Sequence, residues 1–204
     1  MSSSFVPRPV IYLVRHGLTQ WNVEQRLQGR KDIPLNEQGR AQAVHCGEIL
    51  RQLFDRDAAE PARLPYVSSP LIRARETMEL MRSALGLEPS CYEIDARLAE
   101  ISFGDWEGLT YADILTRKKH LIVEREKDKW EFLPPRGESY AQLARRVAAW
   151  YAQLHANTVI AAHGGTARAL VALLAIVPPE EAPHYPIDQG VVYVFAEDKI
   201  ARYA

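Results

Sequence analysis

The chain has 204 residues, 25 basic against 26 acidic side chains, and 47% hydrophobic residues. That balance belongs to a globular protein with one sizeable core and no room for a second full domain. A net charge of −1 implies no nucleic-acid partner, and no apolar run is long enough for a membrane span. The first nine residues lack the basic and apolar regions of a secretory leader, so a cytoplasmic location is expected.

In chain order, Val10 to Val14 is an unbroken apolar run that stops at Arg15-His16-Gly17. It reads as a parallel strand buried on both faces. The loop Arg26 to Pro34 leads to Asn36, an N-cap for a helix with apolar positions at Val44, Ile49, Leu50, Leu53 and Phe54. Tyr66 to Ser68 is a short strand. Ser69 and Pro70 then supply an N-cap and a first-position proline for a helix through Leu85, placing Arg73 in its second turn. Helical side chains lean toward the N-terminus, which aims Arg73 at the same strand-end edge as His16. A second buried strand, Thr158 to Ala162, stops at His163-Gly164-Gly165, flanked by helices expected over 139–154 and 166–177. Residues 191–195 and 200–203 read as a hairpin at one sheet edge. The alternation predicts an α/β three-layer sandwich in one domain: a mostly parallel central sheet flanked by helices, with an edge hairpin. Cys46 and Cys91 are too few and too isolated for a disulfide framework or a thiolate metal site.

Open α/β sheets place ligands beyond the carboxyl ends of their strands. Arg15, His16 and His163 can therefore meet in one pocket, a set suited to phosphoryl chemistry. A lone strand-end histidine is more often a hydrogen-bonded structural residue, and Arg73 or Glu100 alone would be an ordinary surface charge. It is the combination of blocks that argues otherwise. Leu13-Val14-Arg15-His16-Gly17 with Thr19, Trp21-Asn22, Gly29, Asp32, Pro34-Leu35 and Gly39 resembles the opening of the histidine phosphatase superfamily, in its phosphoglycerate mutase-like branch. The resemblance continues through Ser68 to Ala74 with Thr77, Leu98-Ala99-Glu100, Phe103 to Gly108, Gly137-Glu138-Ser139 and His163-Gly164-Gly165, nearly the whole chain.

Phosphoryl transfer needs a nucleophile in line with the leaving oxygen, positive groups for the equatorial oxygens, and a proton for the departing alcohol. The resemblance makes His16 the nucleophile that becomes a phosphohistidine. Arg15 and Arg73 are permanently charged forks suited to phosphate, and His163 adds a donor from the other strand end. The family's use of the matching asparagine assigns Asn22 to the phosphate, with Gly164 beside it. Glu100 is the candidate general acid and base. Thr19, Trp21, Gln28 and Tyr111 are assigned to the substrate pocket. No metal site and no cofactor are expected: His45, His120, His155 and His184 match no motif, and no two histidines share zinc-motif spacing.

The resemblance makes the segment at roughly 107–136 a small helical cap inserted over the pocket; it is rich in charge, and Glu124-Arg125-Glu126-Lys127-Asp128-Lys129 reads as a solvated helix face, with Trp130 and Phe132 packing beneath it. Three functions fit these residues: a metal-independent phosphatase of small phosphomonoesters, a phosphoglycerate mutase, and a phosphate-binding protein without catalysis. The first is favoured. Retention of His16, Glu100, Arg15, Arg73 and His163 argues against a decayed site. Mutases carry a lysine for the substrate carboxylate near the position of Tyr111 and paired arginines in the cap, and the resemblance finds neither here. The motifs leave open whether the chain works alone or as a homodimer.

Overall fold

An apolar strand with alternating side chains must be covered on both faces. In the computed structural model, which describes residues 8–204, β1 spans Ile11–Arg15. Ile11 and Leu13 join Leu143, Val147, Ala167 and Leu170 on one side, while Tyr12 and Val14 join Leu50, Phe54 and Met78 on the other. The sheet is thereby sandwiched between two cores. The expectation of no leader concerns a segment whose first seven residues lie outside the described residues. No helix among the described residues is long and apolar enough to cross a membrane.

The other strands are β2 (Tyr66–Ser68), β3 (Glu93–Ile94), β4 (Thr158–Ala162), β5 (Val192–Ala196) and β6 (Lys199–Tyr203). Their order is β3-β2-β4-β1-β5-β6. The first four are parallel, and β5 and β6 form the antiparallel edge hairpin. Register does the functional positioning. Arg15 lies opposite Ala162, and His16 N–H donates to the Ala162 carbonyl at 2.9 Å. His16 and His163 therefore leave the sheet side by side, and Ser69 N–H, donating to the Ala161 carbonyl at 3.0 Å, brings the exit of β2 to the same edge.

The helices are α1 (Gln20–Val23), α2 (Glu37–Arg56), α3 (Ile72–Ala84), α4 (Tyr111–Lys127), α5 (Tyr140–Tyr151) and α6 (Gly164–Leu173). Asn36 caps α2 as expected, accepting from Gly39 N–H at 2.8 Å. Val44 is a correction: the buried stripe runs through Ala43, Cys46, Gly47 and Leu50, which turns Val44 toward solvent. A second correction concerns α3, which starts at Ile72 and not at Pro70, placing Arg73 in the first turn. Ser69 is engaged elsewhere, and the cap comes from a distant loop, with Asp32 Oδ1 accepting from Ile72 N–H at 2.6 Å. The start of α6 at Gly164 is also earlier than expected, because His163 is its N-cap residue and the two glycines form its first turn.

The cap contributes α4, kinked at Lys118, whose Ile114 and Ile122 bury against Trp106, with Leu27, Phe103 and Phe132 packed around them. Trp106 and Phe132 stack at 5.4 Å, and Trp130 stacks on Tyr140 at 6.3 Å. The charged run is not solvated throughout. Arg125 is buried, donating to the Tyr111 hydroxyl at 2.7 Å.

Leu13 is fully buried at the middle of β1. Leu13→Ala is expected to lower the unfolding free energy by about 2–5 kcal/mol, read from urea titration. A loss well below 1 kcal/mol would contradict the close packing of this strand.

Candidate active site

His16 is the first residue past β1, in a turn that only glycines permit. A Cβ on Gly17 would stand 2.1 Å from the Gly39 carbonyl oxygen, so the turn lies backbone to backbone on the first turn of α2. His16 is buried, and its Nδ1–H donates to the Gly17 carbonyl at 2.8 Å. That bond fixes the tautomer and leaves Nε2 with its lone pair. Burial, then the charges of Arg73 and Arg15, hold the imidazole well below the usual histidine range, so it is neutral.

His163 lies 5.2 Å away, ring centre to ring centre. Ser69 Oγ accepts from Leu71 N–H at 3.3 Å and shares a hydrogen bond with His163 Nε2 at 2.6 Å. Nδ1 of His163 is buried and has no hydrogen-bond partner in the protein. Burial and Arg73 keep this imidazole uncharged too.

The two arginines repeat the pattern. Arg15 Nη1 donates to the Ile187 carbonyl at 2.6 Å. Arg73 donates from Nη1 to the Lys31 carbonyl at 2.8 Å and from Nη2 to the Gly29 carbonyl at 2.7 Å. The Nε–H of each is buried without an acceptor. Burial pulls both guanidinium groups down, Arg73 to about 10, with Glu100 opposing in each case; both remain charged at neutral pH. Among the described residues, six buried side-chain polar atoms lack a partner, and Arg15 Nε, Arg73 Nε, His163 Nδ1 and Gln28 Oε1 are four of them. Unpaired buried groups are costly, so their gathering at one sheet end marks a ligand site.

Glu100 reaches this edge from the loop before the cap. Its Oε1 accepts from Ile101 N–H at 2.9 Å and from Gly165 N–H at 3.0 Å, leaving Oε2 the less engaged oxygen. A Cβ on Gly165 would stand 2.2 Å from Oε1, so any larger residue there would push the carboxylate off this position. Asn22 Oδ1 accepts from Thr19 Oγ1–H at 3.0 Å and from Gln189 Nε2–H at 3.1 Å, which frees the amide NH2 as the donor facing the cavity.

The cavity is about 160 Å³ and is lined by Arg15, His16, Asn22, Gln28, Arg73, Glu100 and Gly164 among the residues expected from sequence, with Ile101, Phe103 and Leu27 as apolar wall. His163 sits just behind it. Thr19, Trp21 and Tyr111 lie outside the wall. Thr19 caps α1 and orients Asn22; Trp21 packs on Gly108; Tyr111 donates to Glu126 at 2.6 Å. Four residues of the site escape sequence reading: Ser69 against His163, Gln189 against Asn22, and Arg26 and Arg168 in the cavity wall. Ser69 stands in a recognised block, but its capping signal hides its contact with His163. Among the described residues no group of three His, Cys, Asp or Glu side chains is placed to hold a metal ion.

A profile of the histidine phosphatase superfamily, branch 1, matches residues 11–200. The 2,3-bisphosphoglycerate-dependent phosphoglycerate mutase 2 of Gloeobacter violaceus is 31% identical over 193 residues, 91% of this chain and 84% of that protein. The glucosyl-3-phosphoglycerate phosphatase of Mycobacterium tuberculosis is 35% identical over 187 residues, covering 85% and 78%. Among solved structures, mycobacterial glucosyl-3-phosphoglycerate phosphatase superposes with a TM-score of 0.75 at 31% identity, over 92% of this chain and 89% of that one. The alpha-ribazole phosphatase of Shigella flexneri gives 0.77 at 28% identity, over 91% and 89%.

The two neutral imidazoles make stability depend on pH. Their folded values lie below the unfolded value near 6.5, so under mildly acidic conditions the unfolded chain binds more protons. Stability is full above about pH 6.5 and falls below it, approaching about 1.4 kcal/mol per pH unit for each histidine. Urea unfolding between pH 6.5 and 5.5 should show a smaller slope in His163→Asn than in the parent. Equal slopes would mean that His163 is not held neutral.

Proposed function

We propose that this chain, which belongs to branch 1 of the histidine phosphatase superfamily, hydrolyses small phosphomonoesters through a phosphohistidine on His16. The observation that carries this reading is the convergence of three buried nitrogens without protein partners, Arg15 Nε, Arg73 Nε and His163 Nδ1, around a neutral imidazole. Donors held in place before the reaction stabilise developing charge without reorganisation. A cavity of about 160 Å³ suits a small ligand; drug-sized ligands fill roughly 300–1,000 Å³.

In the first step His16 Nε2 attacks phosphorus opposite the leaving oxygen. The P–O bond breaks as the N–P bond forms, and Glu100 Oε2 gives its proton to the departing alkoxide. Arg15, Arg73, His163 and the Asn22 amide hold the equatorial oxygens. In the second step water attacks the phosphohistidine, its proton passes to Glu100, and the N–P electrons return to His16 as inorganic phosphate forms. No step calls for a metal ion.

The mutase relatives favour a second reading, in which the phosphoryl group returns to substrate before water reaches it. Against it stands Tyr111, whose hydroxyl is committed to Arg125 and Glu126.

Inorganic phosphate is expected from a panel of phosphomonoesters in the presence of EDTA, and not from His16→Ala. Glu100→Gln should lower the rate by about 10²–10⁴. The trapped phosphoenzyme should be acid-labile and base-stable, with the label on His16. Isomerisation of 3-phosphoglycerate without phosphate release would decide for the mutase, and a label on another residue would overturn the mechanism.

A further inference from the structure

A carboxamide has two ends of similar shape and opposite action: its NH2 donates to a phosphate oxygen, and its carbonyl oxygen repels one. Asn22 therefore serves the phosphoryl group only when it faces the cavity nitrogen first. Its own helix does little to ensure this, since α1 is four residues long and buries none of them. Thr19 N–H donates to Asn22 Oδ1 at 3.2 Å, but the Thr19 hydroxyl, 3.0 Å from the same oxygen, can serve either end of an amide.

Gln189 supplies the missing direction. Its Nε2–H donates to the His16 carbonyl at 3.1 Å, and a carbonyl oxygen can only accept, so the nitrogen end of Gln189 is fixed there. The other proton on that nitrogen goes to Asn22 Oδ1 at 3.1 Å. Orientation thus passes from the backbone of the nucleophile through Gln189 to Asn22, whose NH2 is left for the cavity. Gln189 itself is not part of the cavity wall. The segment that carries it is pinned on both sides. Before it, the Ile187 carbonyl accepts from Arg15 and Asp188 N–H donates to Tyr193 Oη at 2.6 Å; after it, Val192 pairs with Val14 across β5 and β1.

We propose that Gln189 is a positioning residue of the phosphoryl site, acting by holding the Asn22 amide nitrogen-first toward the transferring group. The proposal rests on the hydrolase reading of that site. It gives Gln189 no contact with substrate and no part in the proton transfers.

Calorimetric titration with inorganic phosphate tests this without turnover. Gln189→Leu is expected to weaken phosphate binding about tenfold, the scale of one hydrogen bond to a charged group. In Asn22→Ala protein the same substitution should cost less than about twofold, because the amide it orients is gone. Gln189→Met, which keeps the length without a polar end, substitutes if the leucine variant fails to fold. Gln189→Glu puts oxygen where the nitrogen stood and should draw the Asn22 NH2 away from the cavity. The side-chain amide resonance of Asn22, identified by its loss in Asn22→Ala, should therefore shift at saturating phosphate in the parent and stay unmoved in Gln189→Glu. Unchanged phosphate affinity in Gln189→Leu overturns the proposal, as does an Asn22 resonance that still responds in Gln189→Glu. An equal loss with and without Asn22 also overturns it, by placing Gln189 in support of the His16 turn alone. Turnover reports separately: if the parent hydrolyses no ester while the binding results stand as expected, the hydrolase reading fails and the orienting role of Gln189 in phosphate binding survives.

Discussion

Desolvation of positive and neutral nitrogen groups at one end of the sheet governs this protein. Two guanidinium groups and two imidazoles are packed where β1 and β4 end, and water is displaced by strands, glycines and carbonyls. The arginines cannot shed their charge at neutral pH, so the imidazoles yield. A neutral imidazole with a fixed proton on Nδ1 is a nucleophile at Nε2, and the same burial that costs stability in the empty site creates that reactivity. An anion entering the site relieves the crowding and adds its binding energy to the folded state.

Glycines permit this density. Gly17 and Gly39 let two backbones touch, and Gly165 lets Glu100 approach the first turn of α6. Each places a functional group by omission of a side chain. Carbonyl oxygens do the complementary work. Those of Gly29, Lys31 and Ile187 aim the guanidinium forks without neutralising them, a task a carboxylate could not perform.

Much of this was legible in the sequence, because the strand runs are short, wholly apolar and followed at once by the reactive residues. The parallel pairing, the edge hairpin and the arrival of Arg73 at the strand ends follow from those patterns. What stayed hidden depends on contacts between distant segments. Ser69 reads locally as a helix cap, yet its partner is 94 residues away. Gln189, 167 residues from Asn22, belongs to no motif. Arg168 looks like an exposed helical arginine until the 185–187 loop folds over it. Tyr111 was expected at the pocket through its position beside the Glu100 block, but the aromatic hydroxyl finds nearer partners on its own helix.

The clamp on the loop before α2 has a consequence for how the molecule tolerates change. Arg73 grips the carbonyls of Gly29 and Lys31 while Asp32 caps the helix that carries Arg73. Loop and helix each supply what the other lacks, so neither can open without exposing the buried guanidinium group. The phosphate end therefore shares the cooperativity of the sheet and does not fray as an independent unit. The cap, by contrast, rests on a small apolar cluster of its own. Substitutions in that cluster can reshape the cap while the end that carries Arg73 stays locked to the core.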